Sequence, residues 1–258
     1  SFAKNTAEEL EKAVKDLTEK GAKSFVFDVR YNPGGLLDQA YKVANMFLKD
    51  GEPIVQVEDR FGEKKIYKAS SSIGEFKITQ PYVLLVNEGS ASASEILAAA
   101  IKEGAGGQIV GTKTYGKGTV QSIVDITDNS ELKYTNAKWL TPNGNWIHKE
   151  GVTPTKEVNL PDYAFLKIID ARETLKVGSV SQNVLSVETI LKGLGYSVTA
   201  DGYFDEATKN AVKSYQQKEG LTATGEVDEE TAQKLMDSVR ELIQQNDTQY
   251  QAAKELLK

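Results

Sequence analysis

PYVLLVNEGSASASEILAAAIKEG, residues 81–104, contains the transition that determines the fold. An apolar run typical of a buried strand ends at Asn87, and an alanine-rich run typical of a helix follows. Ser90, Ser92 and Ser94 lie between the two runs and are separated by alanines. The stretch therefore predicts a buried strand that turns directly into a helix, as in α/β proteins.

The segments around this stretch continue the alternation of strands and helices. Upstream, FVFDV (25–29) has the composition of another buried strand, and LLDQAYKVANMFL (36–48) has apolar residues at helical spacing. Downstream, TVQSIVDI and LKYTNAKWL are strand-like. The sequence therefore predicts an α/β core with a mixed sheet, helices, and β ribbons at its end.

The pattern changes near Leu175, where helices separated by glycine-containing turns begin. We therefore expect an α/β core over 1–174, a small all-α domain over 175–238 and an amphipathic C-terminal helix over 239–258. That last helix has little left to pack on within the small domain, so it either contacts another domain or chain or stays solvated. Contact with a second chain would make it a dimerisation element, and we expect a homodimer.

The composition excludes several classes of protein. The chain has 258 residues and a formal net charge of -6, so it offers no basic field for nucleic acid or anionic lipid. It has no cysteine and one histidine, His148, which excludes disulfides, thiol nucleophiles and His-rich metal sites. No apolar run reaches about 18 residues, so the sequence predicts no membrane span. We expect neither a cofactor nor a metal.

Ser92, at the start of the predicted helix, has two interpretations. Ser92-Ala93-Ser94-Glu95 fits a capping box, in which the serine only satisfies a helix N-terminus. The same position also offers chemistry, because the first N–H groups of a helix are unpaired and can stabilise an oxyanion beside a nucleophilic hydroxyl. A nucleophilic serine would need a base.

Two residues are candidates for that base. His148, in the polar segment GNWIHKEGVTP, is best explained as a surface or turn residue. Lys117 lies between Gly116 and Gly118, where the backbone can close around it and desolvation would favour the neutral amine. Lys117 could instead belong to a flexible turn or to a P-loop. The P-loop is disfavoured because Gly118 replaces the expected Ser or Thr and the next segment is strand-like.

Three sequence blocks, in this order, resemble the carboxy-terminal processing (tail-specific) serine peptidases of the S41 type, which use a Ser/Lys dyad. FDVRYNPGGLL (27–37) resembles the Asn-x-Gly-Gly block, NEGSASASEILAAA (87–100) the nucleophile block, and GTKTYGKGTVQ (111–121) the lysine block. The interval from Ser92 to Lys117 matches the spacing in that family. The resemblance implies an α/β peptidase core.

The resemblance also implies a role for each matching position. Ser92 is the nucleophile, and Lys117 is the general base that later protonates the leaving amine. Gln121 would hold the lysine amine in position as an acceptor. The N–H of Ala93 and one N–H from the Gly34–Gly35 turn would form the oxyanion hole, with either glycine as the donor.

The activity implied by the resemblance is that of a serine endopeptidase. It would cleave protein or peptide substrates near exposed C-termini by acyl transfer, in regulated processing such as signalling or sporulation, outside the cytoplasm. An extended substrate would pair with a strand edge beside the dyad. The family usually places a PDZ domain before the core, and we expect this chain to be a form that lacks it. The alternative is a non-catalytic, cell-wall-binding scaffold with a vestigial peptidase core.

Residues 175–236 resemble a peptidoglycan-binding helical module. The usual Leu-Gln pair before the second turn is absent, with Glu188-Thr189 nearby, and Phe204-Asp205 stands where Phe-Gly is typical. The resemblance implies contact with peptidoglycan, or a scaffold or dimerisation role where that binding is lost. A core followed by this module resembles the sporulation-type branch of the family.

Overall fold

The computed structural model describes residues 1–127, 130–170 and 172–258. These residues form two compact units, each described separately: Ser1–Asn159 with Gln249–Lys258, and Leu160–Thr248. The chain therefore leaves the first unit after Asn159 and re-enters it at Gln249.

The strands all belong to the first unit. In chain order the described strands are β1 (Phe25–Asp28), β2 (Pro53–Asp59), β3 (Lys64–Lys68), β4 (Tyr82–Val86), β5 (Gln108–Gly111), β6 (Thr119–Thr127), β7 (Ser130–Leu140) and β8 (Lys156–Glu157). They form a parallel sheet with the order β1-β4-β5-β8 and an antiparallel sheet with the order β3-β2-β7-β6. The predicted mixture of an α/β core and β ribbons is thus present as two separate sheets.

The helices are distributed over both units. They are α1 (Thr6–Glu19), α2 (Leu37–Asn45), α3 (Ala93–Ala99), α4 (Gln182–Gly193), α5 (Glu206–Glu219), α6 (Glu229–Gln245) and α7 (Thr248–Glu255), with a π-helical turn at Ala100–Gly104 and a 3₁₀ turn at Asp162–Phe165. None of the described helices is long and apolar enough to cross a membrane.

β4 is buried on both faces, which explains why its sequence is a continuous apolar run. Its side chains alternate between two buried clusters. Leu84 and Val86 join the main core with α2 and α3, whereas Val83 and Leu85 lie on the other face of the sheet. Because β1, β4 and β5 are parallel, the loops after their carboxyl ends meet at one edge of the sheet. Those three loops are the three sequence blocks identified above.

The C-terminal segment differs from the single helix expected over 239–258. Val239 is buried in the core of the second unit, because α6 extends to Gln245. α7 is a separate helix of the first unit, and its Ala253 packs against Val83, Leu85 and Val110 of the parallel sheet.

α7 is also attached to the first unit by hydrogen bonds. The Gln249 side chain is buried, accepts a hydrogen bond from Arg30 Nη1 at 3.0 Å and donates one to the Val158 carbonyl at 2.8 Å. The apolar face of the tail therefore packs on the sheet of its own chain.

The second unit begins before the expected boundary at 174/175. Tyr163, Leu166 and Ile169 pack with the buried residues of its helical core, which places residues 160–170 and 172–174 with the helices and not with the α/β core. The sequence pattern does not separate these residues, because their apolar side chains fit the end of a sheet equally well.

The second unit contains an internal duplication. Buried Glu188 of α4 accepts hydrogen bonds from the Gly202 N–H and the Thr208 hydroxyl. The Gln216 side chain of α5 makes the corresponding contacts with the Gly225 N–H and the Thr231 hydroxyl. Thr208 and Thr231 each follow an aspartate that caps the next helix, Asp205 or Asp228. Two copies of one helix–loop–helix arrangement thus build the all-α unit.

Candidate active site

The three serines after β4 have different environments. Ser90 Oγ donates to the Val29 carbonyl at 2.8 Å, and Ser94 Oγ donates to the Asn32 carbonyl at 2.9 Å, so both fix the turn. Ser92 lines an open cleft at the start of α3. Its φ of +55° is uncommon for a residue with a Cβ and is typical of a strained strand-to-helix turn that exposes its side chain.

A buried carboxylate joins the Ser92 turn to the Lys117 turn. Glu95 is fully buried, and its Oε2 accepts hydrogen bonds from the backbone N–H groups of Ser92 and Lys117, both at 2.8 Å. Its Oε1 accepts from the Gly116 N–H and the Thr114 hydroxyl, both at 2.6 Å. The four bonds hold two loops in one relative position. The predicted capping box is present, and the same glutamate makes this connection.

The backbone at Lys117 is also held from the opposite side. Trp139 Nε1 donates to the Lys117 carbonyl at 2.8 Å, and Trp146 Nε1 donates to the Gly118 carbonyl at 3.0 Å. A Cβ on Gly118 would lie 2.9 Å from the His148 backbone nitrogen. The turn therefore has the close backbone packing expected from its glycines, and the Lys117 side chain is half-buried.

The Asn-Pro-Gly-Gly turn after β1 approaches the Ser92 turn closely. A Cβ on Gly34 would lie 2.7 Å from the Ala91 carbonyl oxygen and 2.9 Å from the Ala93 nitrogen, so only glycine fits. The Gly34 N–H donates to Asn32 Oδ1 at 3.0 Å and is occupied. Within the described residues the Gly35 N–H makes no hydrogen bond, which leaves it as the available donor of the pair.

The N-terminal segment holds this turn from behind. The Phe2 N–H donates to the Gly34 carbonyl and the Phe2 carbonyl accepts from the Leu36 N–H, both at 2.9 Å. This parallel bridge engages the residues on either side of Gly35. Because backbone groups alternate in direction along an extended segment, the Gly35 N–H points away from Phe2.

A cleft of about 290 Å³ brings most of the predicted site residues together. Ser92, Ala93, Lys117, Gln121 and Gly35 all contribute to its lining. The remaining lining side chains are mostly apolar and include Leu36, Leu37, Ile96, Val120 and Trp139, with Lys133 as a second cation. Gly34 lies behind Ser92, where it limits the space. Gln121 is exposed on β6, which is the outer strand of its sheet.

His148 lies away from this lining. Its ring stacks on Trp146 with the centroids 5.2 Å apart, and it is half-buried, which differs from the exposed position expected from its polar segment. Its Nδ1 is buried without a hydrogen-bond partner among the described residues. The structure therefore gives His148 a packing contact beside the Lys117 turn.

The loop that carries Lys117 lacks the structure of a phosphate-binding loop. It leads from β5 into the strand β6, so a P-loop would have no helix N-terminus to bind phosphate. The described residues also contain no group of three or more acidic or histidine side chains that could hold a metal ion.

Sequence reasoning missed three residues of the site. Glu95 is predicted only as half of a capping box, whereas its four acceptor contacts reach the Lys117 turn. Trp139 and Lys133 come from β7, which follows the three blocks. A glutamate directly before the apolar run at 96–101 is a signal that could have identified Glu95, since a buried carboxylate needs several donors.

The arrangement has the parts of an acyl-transfer site. Ser92 and Lys117 line one cleft together with Ala93 and Gly35, and Ala93 is the first residue of α3. Backbone amides can stabilise the negative oxygen of a tetrahedral intermediate.

Comparison with known proteins identifies related families and relatives. Residues 1–158 match the model of "Peptidase family S41", and residues 180–235 match the family described as "Putative peptidoglycan binding domain". The chain is 44% identical over 258 residues to carboxy-terminal processing protease CtpA of Bacillus subtilis, covering 100% of this chain and 55% of CtpA. It is 39% identical over 256 residues to CtpB of the same organism, covering 98% of this chain and 53% of CtpB.

A solved structure shows the same relationship. The photosystem II D1 C-terminal processing protease superposes with a TM-score of 0.55 at 39% identity and covers 61% of this chain and 40% of that chain. Identity to CtpA exceeds identity to CtpB, so the expectation of greatest similarity to CtpB, the sporulation-type branch, is corrected. The chain spans about half the length of the curated relatives that it matches. On the family match, the site geometry and the identity to these relatives, the chain belongs to peptidase family S41.

Proposed function

We propose that this protein is a serine endopeptidase that cleaves protein substrates near their C-termini. The observation that carries the proposal is the shared cleft: Ser92, Lys117, Ala93 and Gly35 line one space. Two relatives named carboxy-terminal processing proteases, each matched over nearly the whole of this chain, support the substrate class.

In this mechanism Ser92 Oγ attacks the carbonyl carbon of the scissile peptide while the neutral Lys117 amine takes the hydroxyl proton. The amides of Ala93 and Gly35 stabilise the oxyanion of the tetrahedral intermediate. The intermediate collapses to an ester on Ser92, and Lys117 gives its proton to the leaving amine. A water molecule, deprotonated by Lys117, then attacks the ester, and the hydroxyl of Ser92 is restored with release of the new carboxylate.

The outer strand β6 gives the substrate a place to bind. It runs from the Lys117 turn along the cleft, and Gln121 lies on it. An extended peptide that pairs with this strand would place its backbone alongside Ser92. Gln121 would then orient either the amine of Lys117 or the peptide.

The direct test is hydrolysis of a C-terminally tagged protein by the parent chain and its Ser92→Ala and Lys117→Ala variants. Both variants are expected to lose at least about 1,000-fold in kcat, because each removes one half of the dyad. His148→Ala is the control and is expected to stay active, since His148 lies outside the cleft lining. Hydrolysis by folded Ser92→Ala at the parent rate would disprove the proposal.

A second function is favoured by the match of residues 180–235. We propose that the second unit binds peptidoglycan and that the protein acts outside the cytoplasm, where this polymer is found. The experiment is sedimentation of the Ser92→Ala protein with purified peptidoglycan. A protein that stays in the supernatant would contradict wall binding but would leave the peptidase proposal intact.

The homodimer remains a prediction. The apolar face of α7 packs on its own sheet, so a dimer contact would have to use other surfaces. Light scattering at several protein concentrations tests it, and a mass of one chain at all concentrations would contradict it. A role in sporulation is likewise a proposal, tested by spore yield after loss of the gene.

A further inference from the structure

The cleft at Ser92 is unlike the rest of the molecule in charge. Two of its described lining residues are lysines, Lys117 and Lys133, and none of the described ones is acidic, whereas the whole chain has a formal net charge of -6. Lys117 must be neutral to accept a proton from Ser92. Lys133 therefore supplies the positive charge of the cleft before Lys117 takes that proton.

Lys133 has no partner that would neutralise it. It is exposed on β7, and in the described part of the chain its side chain makes no ion pair or hydrogen bond. Two other lysines of the same sheet are paired: Lys138 lies 2.7 Å from Glu58, and Lys64 lies 3.6 Å from the same carboxylate. An unpaired ammonium at the edge of an otherwise apolar cleft is available to an anionic ligand.

The strand register fixes where this ammonium lies along the cleft. Lys133 is opposite Ile123 of β6, and because side chains alternate, it shares a face with Gln121. From Thr119, the first residue of β6, to Ile123 the strand advances roughly 13 Å. An extended peptide on β6 would advance at the same pitch, so Lys133 falls within about four residues of the bond held at Ser92.

The acidic residues farther along the hairpin restrict the position. Asp125 of β6 lies opposite Glu131 of β7, farther from Ser92 than Lys133 is, and both residues share the face of Lys133. A substrate carboxylate placed beside them would be repelled, whereas one placed beside Lys133 would be attracted. The face is therefore selective for negative charge at one distance from Ser92.

We propose that Lys133 determines substrate specificity by binding a carboxylate of the peptide within about four residues of the scissile bond. The inference rests on the proposed peptidase function. Either the α-carboxylate of a substrate terminus or an Asp or Glu side chain could supply the group, and both have the same chemistry at this distance.

The test compares kcat/KM for three fluorogenic peptides that differ only at their last residue. The first has a free C-terminus three residues after the cleaved bond, the second has that terminus amidated, and the third is amidated but has Glu in the last position. The enzymes are the parent chain, Lys133→Gln and Lys133→Glu. Lys23→Glu is the control, because Lys23 is exposed before β1, at the opposite end of the strand from the site.

The parent is expected to prefer the carboxylate peptides over the amidated peptide by about threefold to fivefold, as one partly exposed ion pair allows. Lys133→Gln should remove this preference and Lys133→Glu should reverse it, while Lys23→Glu should retain it. Molar salt should weaken the preference, since the Debye length falls to about 3 Å. Preference for only the free terminus or only Glu identifies the source of the carboxylate.

An unchanged preference ratio in Lys133→Glu would overturn the proposal. A shift of the pH profile by the same amount for all three peptides would also overturn it, since Lys133 would then act on Lys117 and not on substrate. Failure of the parent to cleave any peptide would instead refute the proposed peptidase function.

Discussion

Single residues fix the relative position of the two turns that carry Ser92 and Lys117. Glu95 accepts hydrogen bonds from the backbones of both Ser92 and Lys117, and Gly34 allows the loop after β1 to reach the Ser92 turn. Neither residue reacts in the proposed mechanism. Both act by holding backbone segments in place.

Glu95→Gln is expected to impair both stability and turnover. An amide has one acceptor oxygen, so the donors on the other side of the carboxylate would face an N–H group in a buried site. The free energy of unfolding should fall by about 2–3 kcal/mol, and kcat should fall about 100-fold through displacement of the dyad. Urea unfolding and initial rates measure the two effects.

The control for that change is Glu103→Gln. Glu103 accepts one hydrogen bond, from the Asn143 N–H, at an exposed site, and its replacement should leave both quantities nearly unchanged. Equal effects of the two substitutions would show that Glu95 does not hold the loops together.

Gly34→Ala separates crowding from backbone strain. Gly34 and Gly21 both have positive φ values, +101° and +95°, but a Cβ would meet other atoms only at Gly34. Gly21→Ala should therefore cost about 1 kcal/mol of stability, while Gly34→Ala should cost more than about 2 kcal/mol and lower kcat about 100-fold. Calorimetry and peptide hydrolysis check this, and full activity of Gly34→Ala would contradict the close approach.

At the scale of elements, the helices and strands were largely predictable and their partners were not. The strand over 82–86 and the helix that follows it can be predicted because the apolar run ends at Asn87 and an alanine-rich run follows it. The π-helical turn at Ala100–Gly104 has no local signal. The contact of α7 with β4 depends on residues far apart in sequence, so no periodicity reveals it.

The duplicated elements of the second unit lead to a pH prediction. Burial raises the pKa of Glu188 above the ordinary value of 4.5. At a pH between the ordinary pKa of the unfolded chain and the raised pKa of the folded unit, the folded unit binds more protons than the unfolded chain. The free energy of unfolding should therefore decrease as pH rises from 4.5 through the raised pKa.

Glu188→Gln should abolish this dependence, since Gln216 shows that an amide satisfies the corresponding contacts. The variant should match the parent near pH 4 and exceed its unfolding temperature near pH 7. Thermal unfolding followed by circular dichroism measures this. Glu230→Gln, at an exposed position of α6, is the control, and the same pH slope in parent and Glu188→Gln would contradict the assignment.

At the scale of the whole molecule, the candidate site was more predictable than the domain boundaries. The three loops that form the cleft carry distinctive short motifs, so Ser92, Lys117 and the glycine turn can be named from the sequence. Lys133 and Trp139 lie on a strand without such a motif. The predicted domain boundaries differ from those of the structure because the second unit is inserted between β8 and α7. The composition of the sequence does not show where such an insertion begins and ends.

The insertion predicts that two ways of removing the second unit have different results. An excised variant that joins Asn159 to Gln249 through about four Gly and Ser residues keeps α7, and the join is short because Gln249 bonds to Val158. It should fold and hydrolyse short peptides. A chain truncated after Asn159 loses α7 and exposes Val83, Leu85 and Val110.

The truncated chain is therefore expected to bind a hydrophobic dye and to unfold at a lower temperature than the excised variant. Dye fluorescence and thermal melting distinguish the two proteins. Indistinguishable behaviour of the two would show that α7 is dispensable for the first unit.

The adjacency of Val158 and Gln249 also has an entropic consequence. While the second unit is folded, the chain between Asn159 and Gln249 is compact. Once residues 160–248 unfold, they become a long flexible loop, and α7 can stay on the sheet only if this loop is closed. The free-energy cost of loop closure rises by about 0.6 kcal/mol for each doubling of the loop length. Melting the second unit should thus loosen α7 through chain statistics alone.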